Sequence, residues 1–196
     1  MTGSILLGIF IIILVLAAVL VVRTCSRQPT PAMTASVELD KGPRAREYGE
    51  QLSKMIQKET VSSRFDSDKT KYYEFHKILE ELFPLVHKTC EKHVFNGNLL
   101  FKWSGKGKAE PILLMSHQDV VEANGSWEHE PFGGYIDGEG KLWGRGTVDT
   151  KGSLYCIFRS VEELIAEGFQ PEGDVYIASS CTEEFSGEGA PLTVEY

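Results

Sequence analysis

The chain has 196 residues, 42% of them hydrophobic, with 28 acidic against 20 basic side chains and a net charge of −8. That apolar content supports a buried core rather than a disordered polymer, and the length suits one domain with extras rather than two. The acidic balance argues against a nucleic-acid partner. Four cysteines without a CxxC pair exclude a cysteine-type zinc finger and a disulfide-stapled miniprotein.

Ile5 to Val22 carries no charged side chain and is apolar on every helical face. As a helix rising about 1.5 Å per residue it covers about 27 Å, close to the hydrocarbon thickness of a bilayer. A cleaved secretory signal needs a basic start and a small-residue cleavage site. Met1-Thr-Gly-Ser4 has no basic residue, and Val22-Arg-Thr-Cys25 is a poor cleavage sequence. Residues 1–22 are therefore expected to be a single transmembrane helix, an uncleaved anchor in contact with the lipid bilayer through residues 5–22. Arg23, Arg27, Lys41, Arg44 and Arg46 all follow it, which by the positive-inside bias puts the rest of the chain in the cytoplasm. Luminal domains on N-terminal anchors are common, so the side of the membrane stays open.

Residues 23–42 contain Pro29 and Pro31 among Ser and Thr, show no apolar period, and read as a flexible tether. Residues 43–196 carry the folded part. Tyr48, Leu52, Met55 and Ile56 recur at helical spacing over Pro43 to Lys58. A second helix is predicted from near Asp68 through Tyr72, Phe75, Ile78, Leu79 and Leu82, ended by Pro84. Asn96-Gly97 marks a hairpin turn before a strand at Leu99–Trp103. Pro111 to Ser116 is a short unbroken apolar run, as in a strand covered on both faces. Gly133 to Gly146 is glycine-rich and irregular. Gly152 to Glu167 is a helix with Leu154, Ile157, Phe158, Val161, Leu164 and Ile165 on one face, stopped by Gly168. Asp174 to Ser179 is a further buried strand. Strand, loop, helix, strand is the βαβ pattern, so the expected class is α/β with a mostly parallel sheet flanked by helices.

Ligands bind beyond the carboxyl ends of such strands. One predicted strand runs into Ser116-His-Gln-Asp119 and the other into Ser180-Cys-Thr-Glu-Glu184, while Asp149 precedes the helix between them. His117, Asp119, Asp149, Glu183 and Glu184 can thus converge although distant in sequence. One imidazole with several carboxylates is a ligand field for zinc, manganese or cobalt. Asp119, two residues after His117, projects to the same face and can orient the ring. Asp149 has two oxygens with which to bridge two metals. Of Glu183 and Glu184, one can bind metal while the other takes a proton from activated water. Taken singly, a His-x-Asp is common, a Glu pair is usually solvated, and Asp149 is a plausible helix cap. Their joint placement at strand ends carries the metal-site reading.

Four ordered segments then carry a resemblance: Leu113-Leu-Met-Ser-His-Gln-Asp-Val-Val121, Trp127-Glu-His-Glu-Pro-Phe132, Leu142-Trp-Gly-Arg-Gly-Thr-Val-Asp-Thr-Lys-Gly152 and Thr182-Glu-Glu-Phe-Ser-Gly-Glu-Gly-Ala190. Together, over roughly Arg44 to Tyr196, they resemble metallopeptidase family M-twenty, which holds carboxypeptidase S, aminoacylases and related N-acyl-amino-acid hydrolases. The resemblance implies a zinc-exopeptidase-like fold and a centre of two divalent ions, zinc by preference. In it His117 is a ligand of the first metal, with Asp119 orienting that histidine. Asp149 is the bridging ligand, Glu183 the general base and Glu184 a ligand of the second metal. It also implies small dipeptides or N-acyl amino acids as substrates. His129 is expected at the surface, His76, His87 and His93 as exposed or packing residues, and Cys181 as packing. Val148-Asp149-Thr150-Lys151-Gly152 departs from the Asp-Asp-Lys-Asn frequent in carboxypeptidase S-like members, which leaves the substrate subclass open.

Family members continue well beyond the Glu-Glu motif, where further ligands and a lid or dimerisation domain reside. The chain is therefore expected to be the N-terminal part of a catalytic domain whose full-length form can be a homodimer. The alternative from a different class is a truncated, non-catalytic, membrane-tethered remnant that binds metal weakly or only a partner.

Overall fold

The computed structural model describes residues 2–27 and 42–196. The chain divides into an N-terminal unit, Met1–Leu39, and a second unit, Asp40–Tyr196. The predicted tether falls largely outside the described residues.

In the first unit, α1 (Thr2–Cys25) is one uninterrupted helix that runs past the expected end at Val22. Its Ile, Leu, Val and Phe side chains are exposed, Ile5, Phe10 and Leu20 among them. By length and composition Ile5–Cys25 is able to cross a membrane. A signal sequence meets the same criterion, so a transmembrane helix is not part of the fold class, which the second unit alone defines.

The second unit begins with three helices, α2 (Pro43–Gln57), α3 (Thr70–Leu82) and α4 (Pro84–Thr89). Pro84 does more than end α3. It occupies the first turn of α4, where its missing N–H costs nothing. The next two N–H groups, of Leu85 and Val86, donate to the buried Glu162 carboxylate at 3.0 and 2.8 Å. A side chain far along the sequence thereby caps this short helix.

β1 (Glu91–Phe95) and β2 (Asn98–Trp103) follow as a hairpin. Asn96 and Gly97 turn it with φ of 47° and 88°, the left-handed pair of a two-residue hairpin turn. β3 (Ile112–Met115) comes next, then a short hairpin of β4 (Tyr135–Ile136) and β5 (Leu142–Trp143) inside the glycine-rich stretch. α5 (Lys151–Ala166), β6 (Val175–Ser179) and α6 (Gly189–Glu195) complete the unit. Gly168 (φ 76°) ends α5. Its N–H meets Ile165 O and that of Phe169 meets Leu164 O, the paired bonds of a Schellman cap.

The four-stranded sheet has the order β1-β2-β6-β3. β3 and β6 are parallel, as the βαβ reading of β3–α5–β6 requires, but β1–β2 and β2–β6 are antiparallel. The expectation of a mostly parallel sheet is thus overturned: the class is α/β with a mixed, mostly antiparallel sheet flanked by helices. The first antiparallel pair is local: the Asn-Gly turn folds a charged, half-exposed strand, Glu91–Phe95, back on β2. The second is a long-range pairing in which β2 lies beside β6 in the opposite sense.

α2 to α5 share one core with the sheet. Met55, Phe75, Leu79, Phe83, Val86, Leu154 and Phe158 pack against Leu99, Phe101 and Ile177. Phe158 lies 5.3 Å, ring to ring, from both Phe83 and Phe101, and truncating such a side chain costs about 3–5 kcal/mol. β3 does not share this burial. It was expected to be covered on both faces, yet Ile112, Leu113 and Met115 are 53, 52 and 70% exposed. β3 lies at the sheet edge, paired with β6 alone among the described residues.

Candidate metal centre

The candidate residues lie at the carboxyl ends of β3 and β6 and at the start of α5. The parallel ladder continues past Met115: Ser116 N donates to Ala178 O at 3.1 Å and Gln118 N to Ser180 O at 2.8 Å. On the other side Val120 N donates to Thr60 O and Ser62 N to Val120 O. His117–Val120 is thus held as extended backbone between two neighbours, and alternation puts His117 and Asp119 on one side and Gln118 on the other.

His117 is largely enclosed. Its Nε2 lies 3.0 Å from Asp149 Oδ1 and 3.7 Å from Glu183 Oε2. One ligand atom each of His117, Asp149 and Glu184 fall within 4.8 Å of one another. Asp149 reaches this point from the residues before α5, where Ser116 Oγ donates to Thr150 O at 3.0 Å. The Asp149 side chain is 72% exposed and that of Glu183 58%, so the group opens to solvent.

Asp119 lies fully buried beneath the ring, and its part differs in detail from the sequence expectation. His117 Nδ1 is closest to the Asp119 main-chain carbonyl, at 2.9 Å, with carboxylate Oδ1 at 3.4 Å. The carboxylate also accepts the Glu183 N–H at 3.2 Å on Oδ1 and the Glu184 N–H at 3.1 Å on Oδ2. One buried acid therefore joins the imidazole to the loop that carries both glutamates.

The charges follow from this packing. Burial raises the proton affinity of Asp119, but His117 and the Glu184 and Glu183 N–H groups outweigh it and hold the carboxyl below its ordinary value. Burial disfavours the His117 imidazolium, yet Asp119 and Asp149 overcome this and lift its pKa to about 9. Burial, opposed by His117 and reinforced by Asp149, raises Glu184. A field that holds a proton on this imidazole equally favours a divalent cation in the proton's place. One nitrogen and two carboxylate donors suit such a cation.

The structure thus brings all five sequence-predicted residues into one neighbourhood, with His117, Asp149 and Glu184 as the converging donors. Sequence reasoning missed their support. Asn98, fully buried, accepts from Cys181 N at 2.8 Å and from Ser180 Oγ at 3.2 Å, fixing the approach to Glu183. Lys151 is fully buried, with Nζ donating to Met55 O at 3.1 Å and Lys58 O at 2.6 Å, which ties the start of α5 to the end of α2. Burial depresses its ammonium to about 7. For Asn98 the only signal was a polar residue opening a buried apolar strand, and Lys151, flanked by exposed Val148, Asp149 and Ser153, carried none. His76 is buried and hydrogen-bonded to Gln118. His129 is half-buried, its ring 4.4 Å from that of Tyr135 and 4.9 Å from that of Trp143. Cys181 is fully buried, as expected of a packing residue.

A mixed α/β sheet thus presents His, Asp and Glu beyond its strand ends. Residues 113–196 match the model for Peptidase family M20/M25/M40. The chain belongs to this family. It is 33% identical to a probable carboxypeptidase S-like 2 of Dictyostelium discoideum, over 93% of this chain and 37% of that protein. It is 34% identical to an N-fatty-acyl-amino acid synthase/hydrolase of Xenopus tropicalis, over 98% of this chain and 40% of that one. Among solved structures, human carnosine dipeptidase 1 superposes with a TM-score of 0.63 at 16% identity, covering 78% of this chain and 35% of that chain. The chain thus spans about two-fifths of the length of these relatives or less.

Proposed function

We propose that the chain carries part of the hydrolytic centre of a metal-dependent amide or peptide hydrolase acting on small peptides or N-acyl amino acids. The observation that carries this reading is the convergence of His117, Asp149 and Glu184 ligand atoms within 4.8 Å, with the Glu183 carboxylate 3.7 Å from His117 Nε2. The names of the relatives supply the substrate class: a carboxypeptidase S-like protein and a hydrolase of N-acylated amino acids.

His117 Nε2 and one oxygen each of Asp149 and Glu184 would hold a divalent cation, zinc by preference among the metals this donor set suits. Such a cation supplies acidified water and a polarised scissile carbonyl. Asp149 presents Oδ1 to His117, and we assign its second oxygen to a second cation. Asp119 keeps the imidazole oriented through its carbonyl and carboxylate while fixing the loop that carries the glutamates. Glu183, exposed at the mouth, accepts the proton of the attacking water and returns it to the leaving amine. In the longer protein Glu183→Gln should lower kcat at least about 100-fold with zinc content unchanged. Turnover near wild type would remove Glu183 from this role.

We further propose that α1 anchors the protein in a bilayer, on the strength of its apolar length. A second reading has its own support: the chain covers only 37% and 40% of the lengths of the two relatives named above. By themselves these 196 residues would then be a tethered, non-catalytic remnant. Amide hydrolysis by them alone would refute it, and metal bound without turnover would favour it.

A further inference from the structure

Between the two residues that frame the candidate centre on this strand lies one that faces the other way. The Gln118 side chain is fully buried, and its amide is committed on both sides. Nε2 donates to Gly97 O at 2.9 Å and to Ser179 O at 3.2 Å, both carbonyl oxygens. That leaves Oε1 as the atom facing His76 Nε2, at 2.9 Å. An amide oxygen only accepts, so the His76 ring donates from Nε2 and carries its proton there. The ring is 5% exposed, set edge-on to Tyr73 at 5.8 Å, and burial holds its pKa near 4, so it is neutral at physiological pH.

This amide joins four pieces of the fold. His76 belongs to α3, Gly97 to the β1–β2 turn, Ser179 to the last position of β6, and Gln118 to the segment that holds His117 and Asp119. β6 leads directly to Glu183 and Glu184. The two strand ends that must meet are thus fastened to each other on their interior side. Without the His76 donor, a buried carbonyl oxygen is left unsatisfied, and the amide gains by turning away. Turning it moves the backbone on which both flanking side chains stand.

We propose that His76, acting through Gln118, is a positioning residue that sets His117 and Asp119 for metal binding. This rests on the metal-centre reading above.

The test measures zinc affinity of the full chain by competition with a chromophoric chelator, and visible absorption after loading with Co2+, both well below the unfolding temperature. His76→Ala should weaken zinc at least about tenfold and alter the cobalt bands, within the range seen when residues supporting metal ligands are lost. His76→Gln, which keeps a donor for Gln118 Oε1, should recover most of the loss. If the alanine variant does not fold, His76→Phe removes the donor while keeping the ring volume. Phe158→Ala, in the core away from the centre, controls for lost stability and should leave both readouts unchanged. Unchanged affinity and spectrum in the donor-less variant, or an equal loss in Phe158→Ala, would overturn the proposal. His117→Ala separates the two readings. If it binds zinc like wild type, or wild type binds none, the metal centre itself fails. If it alone loses zinc, only the positioning role fails.

Discussion

Asp119→Asn is the most informative single change at the centre. The native carboxylate accepts the Glu183 and Glu184 N–H groups at 3.2 and 3.1 Å while facing His117. The amide offers one oxygen and one NH2, so one of the two loop N–H groups meets a donor instead of an acceptor. Hydrogen bonds to a charged group are worth about 1.5–3 kcal/mol, and an orphaned buried donor costs about 1–3 kcal/mol. With the second contact retained, the expected loss is about 2–3 kcal/mol. For a domain of this size each kcal/mol moves Tm by about 2–4 °C, so unfolding followed by circular dichroism should fall by about 5–10 °C. The imidazole loses its principal anion at the same time, so in the metal-free protein the His117 pKa should fall from about 9 toward its ordinary value. NMR titration of the His117 ring resonances reads this directly. A Tm within a degree of wild type together with an unmoved His117 titration would show that Asp119 does not join the ring to the glutamate loop.

Further outcomes follow from other contacts. Glu162→Ala removes the acceptor for the Leu85 and Val86 N–H groups, and chemical denaturation should show a loss of about 2–4 kcal/mol. On the acid side, His76 has an unfolded pKa of 6.5 and a folded value of about 4, so the stability its neutral form supplies is full above pH 6.5 and drains away as pH falls toward 4. That amounts to about 3 kcal/mol at most. His87, also lowered by burial, adds in the same direction, and His76→Gln should flatten the acid limb of a denaturation series. His117 has the opposite sign: in metal-free protein its contribution is complete below pH 6.5 and is lost as pH rises through about 9. Excess zinc should suppress that alkaline limb. Deleting residues 1–27 should move the protein from the membrane pellet to the soluble fraction, and its retention in the pellet would argue against α1 as the anchor.

The sequence made the centre more legible than the sheet. His117 and Glu184 announced themselves because a polar run directly after an apolar strand has few structural uses, and Asp149 because it precedes the helix that joins those strands. The same logic failed for β1, where Glu91-Lys-His-Val-Phe carries no strand-like alternation strong enough to notice. Asn96-Gly97 marks the hairpin turn, but with no strand assigned before it β3–α5–β6 stands for the whole sheet. β3 misled in the other direction. Its unbroken apolar run reads as burial on both faces, whereas burial depends on what lies beside a strand, and here β3 is the edge. Gln118 and Asn98 were invisible because a buried amide is recognised only by the carbonyl and N–H groups around it, and those come from distant segments.

The open flank of β3 also bears on how this polypeptide behaves in solution. Ile112, Leu113 and Met115 stand exposed along a strand whose free side offers main-chain N–H and C=O groups at the spacing another strand requires. Such a border is a template for strand addition, and the expected outcome for this polypeptide expressed alone is self-association through β3. A charged residue introduced at Leu113 should therefore raise the soluble yield without disturbing the far side of the molecule.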